Sequence, residues 1–185
     1  MAKNNSTQIQ NTIEKSLSSS REEIIKEAKR IEESALYSAK GHYSAARVWE
    51  SFHIVIGLSI AILSGIVAAF IFSNDYRIFM GYLSLLVIIL SGIATFLNPN
   101  DRANNHKIAG DKNYALNSRS RIFWTIDCWE QGITDEVLTK TLKDLSEIRI
   151  KINSESPRIP KWAYLMAKRS IKTGEADFAV DKKQS

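Results

Sequence analysis

Two uncharged apolar runs stand almost end to end in the middle of the chain, and they limit what it can fold into. Residues 54–72 (IVIGLSIAILSGIVAAFIF) are 19 residues without a charge, and residues 78–97 (IFMGYLSLLVIILSGIATFL) are 20 more. Wound as a helix at ~1.5 Å per residue, either run is about 30 Å long, the thickness of a bilayer's hydrocarbon core. Only Ser73, Asn74, Asp75, Tyr76 and Arg77 separate them. So short a link forces a tight antiparallel hairpin. A pair of buried helices in a soluble bundle is the competing reading, but the rest of the chain offers little apolar surface to cover both. A cleaved signal sequence does not fit the first run, which comes after 53 residues of charged sequence and is followed at once by the second.

Charge then limits partners and sets a direction. The 185-residue chain carries a formal +5, but the excess is spread out. Residues 1–53 hold 8 Lys/Arg against 7 Asp/Glu, and residues 98–185 hold 16 against 12. A nucleic-acid surface needs a clustered basic stripe or a reading motif; neither is visible, so direct nucleic-acid binding is not expected. Arg47 lies just before the first run, and Arg102, Lys107 and Lys112 come after the second, whereas the link holds Arg77 alone. The positive-inside rule then puts both termini in the cytoplasm and the link outside. Cys128 is the single cysteine, which rules out an intrachain disulfide and suits a reducing compartment.

Outside the hairpin the pattern is helical throughout. Residues 1–20 are polar and read as a flexible N-terminal segment. From residue 21 to 53, Ile24, Ala28, Ile31, Ala35, Ala39 and Tyr43 recur every three or four residues and make one apolar stripe. With no proline before Ile54, this cytoplasmic helix leads into the membrane, and Gly41 marks a place where it can bend. Trp49, Phe52 and His53 fall at the inner interface, Tyr76 and Phe79 at the outer one. Residues 98–174 form the rest of a cytoplasmic helical region. Pro99 marks the exit, Asn100 or Asp101 caps a helix over 102–131, and Tyr114, Leu116, Ile122, Phe123, Ile126 and Trp129 are its packing candidates. Gly132 ends it and Thr134 caps the next helix, whose face runs Val137, Leu138, Leu142, Leu145, Ile148 and Ile152. Pro157 and Pro160 stop that helix. A short last one over 160–172 ends at Gly174, and residues 175–185 are a peripheral tail. The fold class is therefore an all-α membrane protein, a two-span transmembrane hairpin with a cytoplasmic helical bundle.

Small residues mark the hairpin's contact surfaces. Gly57, Ala61, Gly65 and Ala69 recur every four residues on one face of the first span, the spacing that lets another helix approach closely in lipid. The neighbour is either the second span or another subunit. On the second span Ser84, Ser91 and Thr95 are candidate pore-facing hydroxyls, with bonding to the carbonyl one turn back as their plainer role. No Asp, Glu, Lys, Arg or His interrupts either span, so a proton relay or charged-substrate site has no basis there. His42, His53 and His106 are too scattered for a metal site, and no HExxH, GxSxG or phosphate-loop motif occurs. Neither an enzyme nor a cofactor is expected.

The end of the second span and the start of the segment after it, Ser91-Gly92-Ile93-Ala94-Thr95-Phe96-Leu97-Asn98-Pro99 with Arg102, His106, Gly110, Tyr114 and Leu116, resemble the SLATT family. Tyr37, His42, Tyr43 and Ala45 before the first span, and the region from Pro157 through Glu175, are similar to it as well. The resemblance implies a two-span effector of bacterial conflict systems, sited in the inner membrane and acting beside a nucleotide-signalling enzyme. It implies membrane damage on a signal from that enzyme or its product. One hairpin cannot enclose water, so a pore requires a homo-oligomer in the bilayer. The contrasting expectation is a non-conducting adaptor that recruits a partner through the 137–152 face.

Overall fold

The computed structural model describes residues 2–70, 72 and 75–175, with side chains from Ser20 onward. The peripheral tail expected at 175–185 lies outside the described residues beyond Glu175. The described residues are all-helical, with no strand. Helix α1 runs unbroken from Ala2–Phe70, α2 covers Arg77–Leu97, α3 Pro99–Thr125, α4 Asp135–Glu155 and α5 Lys161–Lys172, with a 3₁₀ turn at Asp127–Trp129. At ~1.5 Å per residue, α1 is about 100 Å long. The segment 1–20, read as flexible, joins it without a break.

Helices α1 and α2 are each long and apolar enough to cross a membrane, and only 6% of each apolar window is buried within the chain. A soluble core helix would be covered by its own protein. These are not: their exposed Ile, Leu, Val and Phe side chains form a large apolar surface that no described residue covers. Chain reversal between them places Phe70 edge-on to Tyr76, with ring centroids 6.1 Å apart. At the other end Trp49 stands edge-on to Phe52 at 6.2 Å.

The two helices of the hairpin continue as the two long helices of the bundle. α2 passes into α3 through a single residue, Asn98, whose backbone is left-handed (φ 41°). Asparagine tolerates that conformation better than most residues. Its N–H donates to the Ala94 carbonyl, closing α2, and Pro99 opens α3 where a missing N–H costs nothing. The helix thus begins at Pro99 and not at Arg102 or Ala103, and no side chain caps it; Asn100 and Asp101 lie inside.

The bundle core lies where α3 and α4 close on α1. Ile24, Ala28, Ile31 and Ala35 of α1 meet Leu116 and Phe123 of α3, Cys128, and Leu138, Leu145 and Ile152 of α4. The periodic face of α4 is therefore spent on the chain's own core. Helix α5 lies on α1 through Ala163 and Ala167, with Tyr164 near Tyr37. Gly132 and Gly174 both take positive φ (95° and 80°), the backbone that ends a helix and that glycine adopts without strain.

Gly41 lies inside an unbroken helix and is a packing glycine. A Cβ there would stand 3.1 Å from Ile159 Cγ2, so its absence lets the segment before α5 lie against α1. Of the packing set expected over 102–131, Tyr114, Ile122, Ile126 and Trp129 are exposed and only Leu116 and Phe123 are buried. The buried stripe of α3 includes Ala103, His106, Ala109, Gly110, Asn113, Leu116, Ser120 and Phe123. Its small members let α3 lie close against the alanines of α1.

Candidate functional site: the hairpin and the polar seam beneath it

On the first span the residues covered by α2 are Ile56, Ser59, Ile60, Leu63 and Val67, a three-and-four spacing. Gly57, Ala61, Gly65 and Ala69 are all exposed. At 3.6 residues per turn they lie roughly opposite, about 160° around the helix. A Cβ built on Gly57 or Gly65 meets nothing within 4 Å. The second span is therefore not packed on this face, and the face is uncovered among the described residues.

The three candidate pore hydroxyls divide. Ser84 and Ser91 are half-buried on one flank of the surface α2 turns toward α1, and Thr95 is exposed. Ser84 Oγ donates to the Met80 carbonyl at 2.8 Å and Thr95 Oγ1 to the Ser91 carbonyl at 2.9 Å. That is the local bonding by which a hydroxyl satisfies itself in an apolar solvent. A single hairpin brings these three residues to no lumen.

Below the spans, α1 and α3 bury a polar seam inside an otherwise apolar contact. His42 Nδ1 lies 3.0 Å from His106 Nδ1, and both side chains are buried. At that distance one ring must donate and the other accept, so the pair holds complementary tautomers and has no room for two facing N–H groups. Burial first, then the neighbouring His106, pushes the His42 imidazole down to about 4. Burial, then the Arg102 guanidinium, also lowers His106. One turn further, the Tyr43 ring fills the space left by Gly110, where a Cβ would stand 2.7 Å from ring Cε1. Its hydroxyl donates to Asp111 Oδ1 at 2.7 Å. Burial, then that hydrogen bond, pushes the phenol up to about 12.

The seam continues away from the membrane as paired polar contacts. Asn117 Nδ2 donates to the Glu32 carbonyl and Trp124 Nε1 to the Glu32 carboxylate, at 2.9 and 2.5 Å. Arg21 clamps the start of α4, donating to Asp135 Oδ1 and the Ile133 carbonyl. No group of three or more potential metal ligands occurs among the described residues.

Sequence reasoning missed the histidine pair. It takes His42 and His106 as too scattered in helical register for a metal site, although both fall on the buried stripes of antiparallel neighbours and their rings meet. No family model, curated protein or solved structure matches the chain.

Proposed function

We propose that the chain is a two-span effector of SLATT type in the bacterial inner membrane, with both termini cytoplasmic, which assembles with copies of itself and makes the bilayer leaky. In this reading it serves antiviral or conflict defence, and a separate sensor or a nucleotide signal sets it off. The open Gly57–Ala61–Gly65–Ala69 face carries the reading, because its small residues suit close helix approach and no described residue occupies it. Copies joined through that face can bring the Ser84, Ser91 and Thr95 flanks of several hairpins around one axis. The bundle holds the two spans at their inner ends and is where a signal would act, by favouring one of two arrangements.

The test is dye release from liposomes together with the mass of the assembled protein, for the native chain and for Gly65→Leu. Release rising steeply with protein per liposome, and falling with oligomer mass in the variant, supports the reading. Unchanged mass and release in Gly65→Leu removes it. The adaptor alternative gains nothing here, since Leu138, Leu145 and Ile152, the centre of its docking face, are buried in the chain's own core.

A further inference from the structure

A cavity of about 520 Å³ opens where the bundle meets the hairpin, lined by Trp49, Asn98, Arg102, Asn105, His106 and Arg158, among others. Arg102 lies five residues past Leu97 and Trp49 five before Ile54, which is about 8 Å along either helix. That is the depth of the headgroup layer, about 5–8 Å on each side of the hydrocarbon core. The Arg102 side chain is already oriented: Nε donates to the Leu97 carbonyl at 2.7 Å, and the guanidinium lies over the Trp49 ring at 5.2 Å. Neither of its terminal nitrogens makes a hydrogen bond or ion pair among the described residues. Arg158 makes no hydrogen bond or ion pair among the described residues. The cavity's one carboxylate, Asp101, is engaged by the Asn98 side-chain amide. Two guanidiniums, two carboxamides and a buried imidazole edge thus face one volume at the water boundary of a membrane hairpin.

From this juxtaposition we propose that the cavity binds a phosphate group, with Arg102 and Arg158 as its cationic clamp and Asn98 or Asn105 as further donors. Planar guanidinium forks match phosphate oxygens in pairs, and a pre-oriented one loses less freedom on binding. The phosphate can arrive on an anionic lipid headgroup or free from the cytoplasm; the chemistry of recognition is the same. The proposal goes beyond the assembly reading and does not rest on it, since it concerns binding by each chain.

The test uses the full chain in nanodiscs of phosphatidylcholine, with and without phosphatidic acid. Lipid retention is read by native mass spectrometry, and inorganic phosphate binding by calorimetry in the undoped discs. Each of Arg102→Gln and Arg158→Gln is expected to weaken phosphate binding about tenfold, whereas Lys107→Gln, an exposed cation on α3 outside the cavity, leaves it unchanged. Arg158→Gln is the cleaner variant, because Arg102 also closes the end of α2. Retention of phosphatidic acid alone assigns the headgroup as source, and capture of inorganic phosphate assigns a free ligand. Either supports the site if the arginine variants lose it. Equal binding by native chain and Arg158→Gln, or no binding above the phosphatidylcholine background, overturns it.

Discussion

Helix α1 uses one device twice with opposite outcomes. In its bundle half Ala28, Ala35, Ala39 and Ala46 are buried, and α3 lies against them. In its hairpin half Gly57, Ala61, Gly65 and Ala69 recur every four residues and are exposed. The covered stripe shows what such a surface does in this chain: it draws a second helix close enough that Gly110 must lack a side chain to admit Tyr43. The exposed stripe is also built of small residues, and no described residue covers it. Water drives the burial of an apolar stripe such as the first; between helices in lipid that drive is absent, and small-residue faces are where such helices pack.

The sharpest break between the halves is expected in the core. Leu116→Ala should cost the bundle about 2–5 kcal/mol in a thermal melt followed by near-ultraviolet circular dichroism, because Leu116 is 1% exposed and its neighbours cannot all close the gap. A comparable truncation of Leu58, exposed at 59% on the first span, should leave the melt in place. Loss of the bundle in both variants would mean that the halves are not independent.

Acid comes next. Below the ordinary histidine value of ~6.5 the unfolded chain takes up protons that His42 refuses until about pH 4. The pair's contribution is therefore complete above about pH 6.5 and is lost as pH falls toward 4, on the order of 3 kcal/mol for His42. Amide exchange along residues 35–46 and 103–113 should rise over that window, while the spans, which hold no Asp, Glu, Lys, Arg or His, stay as they were. His42→Gln should flatten the pH dependence; an unaltered slope would place its origin elsewhere.

Glycine substitution gives a smaller and more pointed contrast. Gly110→Ala puts a methyl 2.7 Å from the Tyr43 ring. It should cost about 1–2 kcal/mol after a helix-propensity gain of about 1 kcal/mol. Gly65→Ala has open space and should shift the bundle's melt by less than about 0.5 kcal/mol. Smallest of all is the Lys112–Glu155 pair, 3.0 Å apart but nearly half exposed on both sides, and Lys112→Gln should leave the melting temperature unchanged.

The same physics decides how legible each half was in sequence. The hairpin announces itself because a bilayer demands long uncharged runs, and the turn between Phe70 and Arg77 and the end of α2 at Leu97 fall where those runs stop. The Ala28–Ala39 stripe and the Leu138–Ile152 face are also visible, being periodic and apolar. The seam is not, because His42, Asn113, Ser120 and His106 are polar residues whose burial depends on how closely two distant helices approach. Bulk misled as well: Tyr114 and Trp129 look like core residues and lie outside, while Ala103, Ala109 and Gly110 do the packing. The exposed side of the Gly57–Ala69 stripe could not be read from spacing, which fixes a face but not what covers it.

The most direct measurement is disulfide cross-linking in native membranes, in a chain carrying Cys128→Ser with Gly65→Cys. The control is Ile66→Cys, an exposed position about 100° further round the same helix. A covalent dimer from the Gly65 position and little from the Ile66 position is the expected result, and it would mean that the bare stripe faces another copy within the bilayer. Equal yields from both positions, or none from Gly65→Cys in membranes that hold the intact chain, would contradict it.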